Sequence, residues 1–131
     1  MSKVINILVV DDEADFRDIF SEILCQMGYR VVVAKDGAEA IELIKQVKID
    51  IALVDFLMPE MDGVELLRRI KKQTPSTEVI LVTGYESVNS VAEAVNQGAY
   101  DYITKPIDFG KLEAVIRTIV QSRCRPTENS G

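Results

Sequence analysis

Three aspartates and one lysine close short, β-branched apolar runs, and they are the residues of this sequence best equipped for chemistry. Asp11-Asp12 follows Ile5-Asn6-Ile7-Leu8-Val9-Val10, Asp55 follows Asp50-Ile51-Ala52-Leu53-Val54, and Lys105-Pro106 follows Tyr100-Asp101-Tyr102-Ile103-Thr104. As neighbouring parallel strands, these runs would bring their polar ends together at the carboxyl edge of one sheet, where open α/β folds place their sites. Two carboxylates about 5 Å apart repel by roughly 3 kcal/mol at an effective dielectric near 20. One lysine does not offset three carboxylates, so the cluster asks for a divalent cation.

The sequence between these runs reads as the elements that would hold them. Phe16, Ile19/Phe20, Ile23/Leu24 and Met27 recur at spacings of three and four, the stripe of a helix with one buried face, and Gly28 stands at its stop position. Arg30–Ala34 reads as a second strand, and Asp36-Gly37 opens a helix carrying Ala40, Ile41, Ile44 and Val47. Residues 49–55, almost continuously apolar, read as a strand covered on both faces. Pro59 and Asp62-Gly63 form a loop, with Asp62 and Glu65 spaced as a capping box before a helix carrying Val64, Leu67 and Ile70. After Pro75 comes a fourth strand, Glu78–Thr83. Val88, Val91, Ala92 and Val95 stripe the next helix, which Gly98 ends. Residues 99–104 read as the fifth strand; Leu112, Val115/Ile116 and Ile119/Val120 stripe the last helix. Five βα units predict an α/β fold with a doubly wound parallel sheet in the order 2-1-3-4-5, its first and third strands adjacent at the switch point. Residues 1–123 read as one domain and residues 124–131 as a polar tail or the start of a linker.

Composition narrows the functions available. With 131 residues and a formal charge of −6, the chain lacks the basic face that grips nucleic acid. No apolar run approaches the roughly 20 residues of a membrane helix, and two cysteines make no disulfide framework, so a reducing cytoplasmic setting is expected. Histidine is absent, which removes imidazole as a base, a metal ligand or a phosphate carrier. There is no glycine-rich loop for a nucleoside triphosphate. Asp108-Phe109-Gly110 spells a kinase tripeptide without the other kinase motifs and is a chance match.

Four strings carry a family resemblance: Ile7-Leu8-Val9-Val10-Asp11-Asp12-Glu13; Val54-Asp55-Phe56-Leu57-Met58-Pro59 with Met61-Asp62-Gly63; Val82-Thr83-Gly84; and Gly98-Ala99-Tyr100-Asp101-Tyr102-Ile103-Thr104-Lys105-Pro106. In order and spacing they resemble the receiver domain of two-component response regulators over residues 4 to 121. The resemblance implies a flavodoxin-like (βα)5 fold and a phosphorylation switch. It implies Asp55 as phosphoacceptor. Asp11, Asp12, Asp55 and the backbone carbonyl of Leu57 are implied as Mg²⁺ ligands, in keeping with that ion's preference for oxygen donors. Lys105 is implied to pair with Asp55 at rest and with a phosphoryl oxygen afterwards, and Thr83 to donate its hydroxyl to another. Gly84 leaves room for the incoming group, Tyr102 matches the aromatic switch position, and Pro106 follows a cis bond in the family. Each residue also has an ordinary use. Asp11 or Asp12 can cap the first helix, Asp55 can be a turn residue, Thr83 a strand end, Tyr102 plain core, and Lys105-Pro106 a strand-to-helix corner. Asp36, Asp62 and Asp108 read best as helix caps.

The implied partners are a sensor histidine kinase as phosphodonor, docking near the first helix, and an output domain or downstream effector. The implied output face is formed by the fourth helix, fifth strand and fifth helix, which could also build a homodimer. The final strand string resembles receivers attached to enhancer-binding transcription activators and some hybrid kinases. Such a domain is a signalling module rather than a turnover enzyme, catalysing only its own phosphorylation and slow dephosphorylation. Leu57 and Tyr85 flank the phosphoryl position and neither can orient a water, which predicts slow loss of phosphate. Three rivals are an aspartyl-phosphate hydrolase, a flavodoxin-like cofactor carrier and a phosphorylation-independent receiver. The first lacks an Asp two residues after a nucleophile on the first strand, the second lacks a Ser/Thr/Gly-rich phosphate cradle, and the intact constellation speaks against the third.

Overall fold

β-Branched runs form five strands: β1 (Asn6–Val10), β2 (Arg30–Ala34), β3 (Ile51–Asp55), β4 (Glu78–Thr83) and β5 (Asp101–Thr104). The computed structural model describes residues 4–56, 58, 61, 63–84 and 93–124. The strands pair in parallel in the order β2-β1-β3-β4-β5, as the alternating βα pattern predicts. Helices α1 (Ala14–Gln26), α2 (Gly37–Gln46) and α3 (Gly63–Gln73) are followed by α4, described over residues 93–96, and by α5 (Phe109–Cys124).

The inner strands are apolar because helices cover both faces. Leu8, Val10, Ala52, Val54, Val79 and Leu81 pack with Ala40 and Ile44 of α2, Leu66, Leu67 and Ile70 of α3, and Ala94 of α4. Alternate residues Ile7, Val9, Ile51, Leu53, Ile80 and Val82 pack with Phe20 and Leu24 of α1 and Leu112, Ile116 and Ile119 of α5. This is the period of two expected of a strand. Each fully buried large side chain contributes roughly 1.5–3 kcal/mol of transfer free energy.

Helix ends follow the local chemistry. Asp36 caps α2 by accepting from the Glu39 N–H at 2.9 Å, and Asp108 accepts from the Lys111 N–H at 3.1 Å at the start of α5. Gly28 (φ 99°) and Gly98 (φ 115°) take the left-handed conformation that lets the chain leave α1 and α4. The strands start later than periodicity suggested: β3 at Ile51 rather than residue 49, and β5 at Asp101 rather than residue 99. Val95 is 46% exposed, whereas Ala94 is buried. Among the described residues of α4, the inward position is therefore Ala94 rather than the expected Val95, one residue or about 100° away. Ile19 is likewise exposed beside buried Phe20. The readings at Leu57, Pro59, Asp62, Tyr85, Val88, Val91, Ala92 and residues 125–131 lie outside the described residues.

At the amino edge of the sheet, Asp50 is almost wholly buried. Its Oδ2 accepts the Asn6 N–H at 3.0 Å, and its Oδ1 lies 3.4 Å from Nη1 of Arg123 in the last turn of α5. Nη2 of Arg123 donates to the Ser76 carbonyl. This ties the far end of α5 to the sheet edge opposite the acidic cluster.

Candidate functional site

Each residue singled out at the carboxyl edge is placed there by its strand. Asp11 follows β1 and stays in the ladder, its N–H donating to the Ala34 carbonyl at 3.1 Å. Its buried side chain does not cap α1, whose N-cap is Glu13, but it makes two contacts at the strand end. Oδ1 accepts the Glu13 N–H at 2.9 Å and turns the chain into α1, while Oδ2 lies 3.6 Å from Lys105 Nζ. The Asp11 carbonyl accepts from Arg17 Nη1 at 2.8 Å, which fixes the first turn of α1 against the strand end. Asp12 is exposed beside it.

Asp55 closes β3 and is buried, with Oδ2 3.8 Å from Lys105 Nζ. Among the described residues, Asp11, Asp12 and Asp55 offer carboxylate oxygens that all lie within 4.8 Å of one another. At that separation the buried pair Asp11 and Asp55 repel by about 3.5 kcal/mol or more at an effective dielectric near 20. Lys105 stands almost equidistant from both and attracts each by about 4–5 kcal/mol on the same scale. An all-oxygen donor set of this kind, with one exposed member open to water, fits a hard divalent cation such as Mg²⁺.

Thr83 ends β4, buried, and its carbonyl accepts the Lys105 N–H at 2.8 Å, so threonine and lysine are registered by adjoining strand ends. The Lys105–Pro106 bond is cis. A Cβ on Gly84 would meet Lys105 Cβ and Cδ at 3.7 and 3.8 Å, ordinary contact against the lysine stem. Tyr102, opposite Leu81 in the ladder, is half-buried against the core cluster that includes Ala94 and Ala99. Leu57 lies outside the described residues.

Three contributors were not legible in the sequence. Phe16, an ordinary member of the α1 stripe by periodicity, carries Lys105 Nζ 4.0 Å from its ring centroid. Arg17 gave no signal at all. Gly63 stands in the loop and in one of the family strings, but its close approach gave no signal: a Cβ there would lie 2.8 Å from Phe56 Cα and 2.9 Å from the Asp55 carbonyl oxygen. Its own N–H donates to the Phe56 carbonyl at 2.9 Å, closing the loop after Asp55.

Comparison with known proteins agrees with this arrangement. The chain is 42% identical over 112 residues to the transcriptional regulatory protein ZraR of Klebsiella oxytoca, covering 86% of this chain and 25% of that protein. It is 35% identical over 121 residues to the regulatory protein AtoC of Escherichia coli, covering 92% and 26%. The chain thus spans about a quarter of the length of the curated relatives it matches. Among solved structures, a CheY-like response regulator receiver domain protein from Methanospirillum hungatei superposes with a TM-score of 0.87 at 32% identity, covering 98% of this chain and 100% of the other. NtrX from Brucella abortus matches with a TM-score of 0.85 at 32% identity, covering 92% of this chain and 28% of NtrX. The profile of the response regulator receiver domain matches residues 7–117, and with the sheet order and the carboxylate cluster it shows that this chain belongs to the receiver domains of two-component response regulators.

Proposed function

We propose that Asp55 is the phosphoacceptor of a switch that a sensor histidine kinase loads and an output domain or effector reads. The observation that carries this reading is the meeting of three carboxylates within 4.8 Å beside a lysine ammonium at 3.6 and 3.8 Å. A carboxylate oxygen of Asp55 attacks phosphorus, the bond from phosphorus to the donor breaks, and the donor leaves with that electron pair. Asp11, Asp12, Asp55 and the Leu57 carbonyl would hold Mg²⁺, which supplies positive charge against the carboxylates and the phosphoryl oxygens. Lys105 shifts from sharing the two buried carboxylates to meeting a phosphoryl oxygen as a point charge. The Thr83 hydroxyl donates to another. Phosphoryl transfer of this kind needs positioning and electrostatics more than covalent chemistry, which suits a site without histidine.

The new charge of roughly −1.5 to −2 is then read by Thr83 and Lys105. Two charge-assisted contacts supply about 3–6 kcal/mol, and moving an equilibrium from 1:99 to 99:1 takes about 5.5, which only the top of that range reaches. Phosphorylation biases the domain, and binding on the α4-β5-α5 face completes the change. Tyr102, half-buried against the core cluster on its face of the sheet, is the aromatic side chain we assign to follow Thr83 inward. The relatives named as regulatory proteins favour a transcriptional output, with a homodimer on the same face as one route to it. Among the described residues no helix is long and apolar enough to cross a membrane. We assign the switch to the cytoplasm on its membership of the receiver family.

Intact mass after incubation with acetyl phosphate and Mg²⁺ tests the reading. Wild type gains about 80 Da, and Asp55→Asn or omission of Mg²⁺ abolishes the gain. An adduct that survives Asp55→Asn would refute the assignment.

A further inference from the structure

Lys105 sits against a surface that the reaction as described leaves unused. Its Nζ lies 3.6 Å from Asp11 and 3.8 Å from Asp55, both longer than the 2.7–2.9 Å of a charge-assisted hydrogen bond. Neither carboxylate alone fixes the ammonium, which has three rotatable donors on a flexible four-carbon stem. A third contact comes from α1, where the ring of Phe16 places its centroid 4.0 Å from Nζ. An aromatic face attracts a cation through its quadrupole and offers the N–H groups no acceptor oxygen to compete with the carboxylates. The ring is itself held. Its centroid lies 6.3 Å from that of Phe20, which is buried and meets Phe109 of α5 edge-on at 5.9 Å.

We infer that Phe16 is the positioning residue for Lys105, a cation–π wall that keeps the ammonium centred between Asp11 and Asp55 and aimed at the incoming phosphoryl group. The inference rests on the reading of Lys105 as the cation that meets that group. It adds a dependence of the phosphorylation rate on an α1 side chain that has no ligating or nucleophilic atom of its own. Volume alone does not serve this role: leucine fills much of the same space and has no quadrupole, whereas tyrosine keeps the ring.

The test compares wild type, Phe16→Leu, Phe16→Tyr, Lys105→Met and Phe16→Leu/Lys105→Met, following Asp55 labelling by acetyl phosphate with Mg²⁺. Phe16→Leu is expected to slow labelling about three- to tenfold, and Phe16→Tyr to restore it to within about twofold. In the Lys105→Met background, Phe16→Leu has no further effect. Proton NMR of the Lys105 ε-methylene supplies a second readout, shifted upfield by the ring in wild type and Phe16→Tyr and released in Phe16→Leu. Labelling of Phe16→Leu at the wild-type rate would overturn the inference. So would a slowing that persists without Lys105, because Phe16 would then act only through the fold of α1. Failure of wild type to label at Asp55 would remove the reading of the site and this role with it, while the methylene shift still judges the contact itself.

Discussion

Replacing Gly63 with alanine reports on how closely α3 must approach the end of β3. The added Cβ would lie 2.8 Å from Phe56 Cα, 2.9 Å from the Asp55 carbonyl oxygen and 3.2 Å from that of Phe56. Non-bonded carbons settle at about 3.5–4.0 Å, so the two backbones must part by roughly 0.7 Å or more. All three atoms in the way belong to rigid main chain, one of them to Asp55 itself, and no rotamer change relieves the overlap. Overpacking of this kind costs about 1–3 kcal/mol. For a chain of this size that corresponds to a Tm lowered by roughly 3–15 °C. The shift also displaces the residue that would attack phosphorus; since a 1 Å misplacement can cost about a hundredfold in rate, a loss of about tenfold is expected. Thermal melts and acetyl phosphate labelling measure the two effects. Gly84→Ala is the control for the melts alone, its Cβ meeting Lys105 at an ordinary 3.7 Å, with a stability change within about 0.5 kcal/mol. A Gly63→Ala protein that melts and labels like wild type would refute the claim that close backbone approach sets this loop.

Lys105→Met is expected to raise Mg²⁺ affinity roughly five- to tenfold, because it removes a competing cation between two carboxylates, while slowing Asp55 labelling. Calorimetric titration and labelling rates moving in the same direction would contradict this. Arg123→Met removes the guanidinium beside buried Asp50 and should cost about 1.5–3 kcal/mol by chemical denaturation. Adding Asp50→Asn should recover part of that loss, since an amide oxygen can still accept the Asn6 N–H; a further loss would argue against the pair. Leu57→Asn introduces a side chain able to orient water, and the acyl phosphate should decay several-fold faster than in wild type. Equal half-lives would remove the basis for a long-lived mark.

The strands and their order were legible because the polar residues interrupt apolar runs at the same relative point, after Val10, Val54 and Thr104. A parallel sheet has one carboxyl edge, so three such interruptions converge once the order is known. What escaped was anything settled by contact between distant segments. Phe16 has the sequence signature of any inward-facing α1 residue, and its meeting with Lys105 depends on how α1, which docks on β1 and β2, stands relative to the end of β5. Asp50 reads as the first residue of an apolar run and Arg123 as a terminal charge; only the packing of α5 pairs them. The inward face of α4 was misjudged at Val95, because the smaller Ala94 takes the position against the sheet.

The grip of Arg123 on Asp50 and Ser76 makes α5 a rod fastened at its far end. Its near end begins at Phe109, which rests on Phe20 and through it on the ring beneath Lys105. A substitution at that ring therefore meets α5 first through Phe109, at the end nearest the carboxylates, while Arg123 and the buried Leu112, Ile116 and Ile119 hold the helix to the sheet.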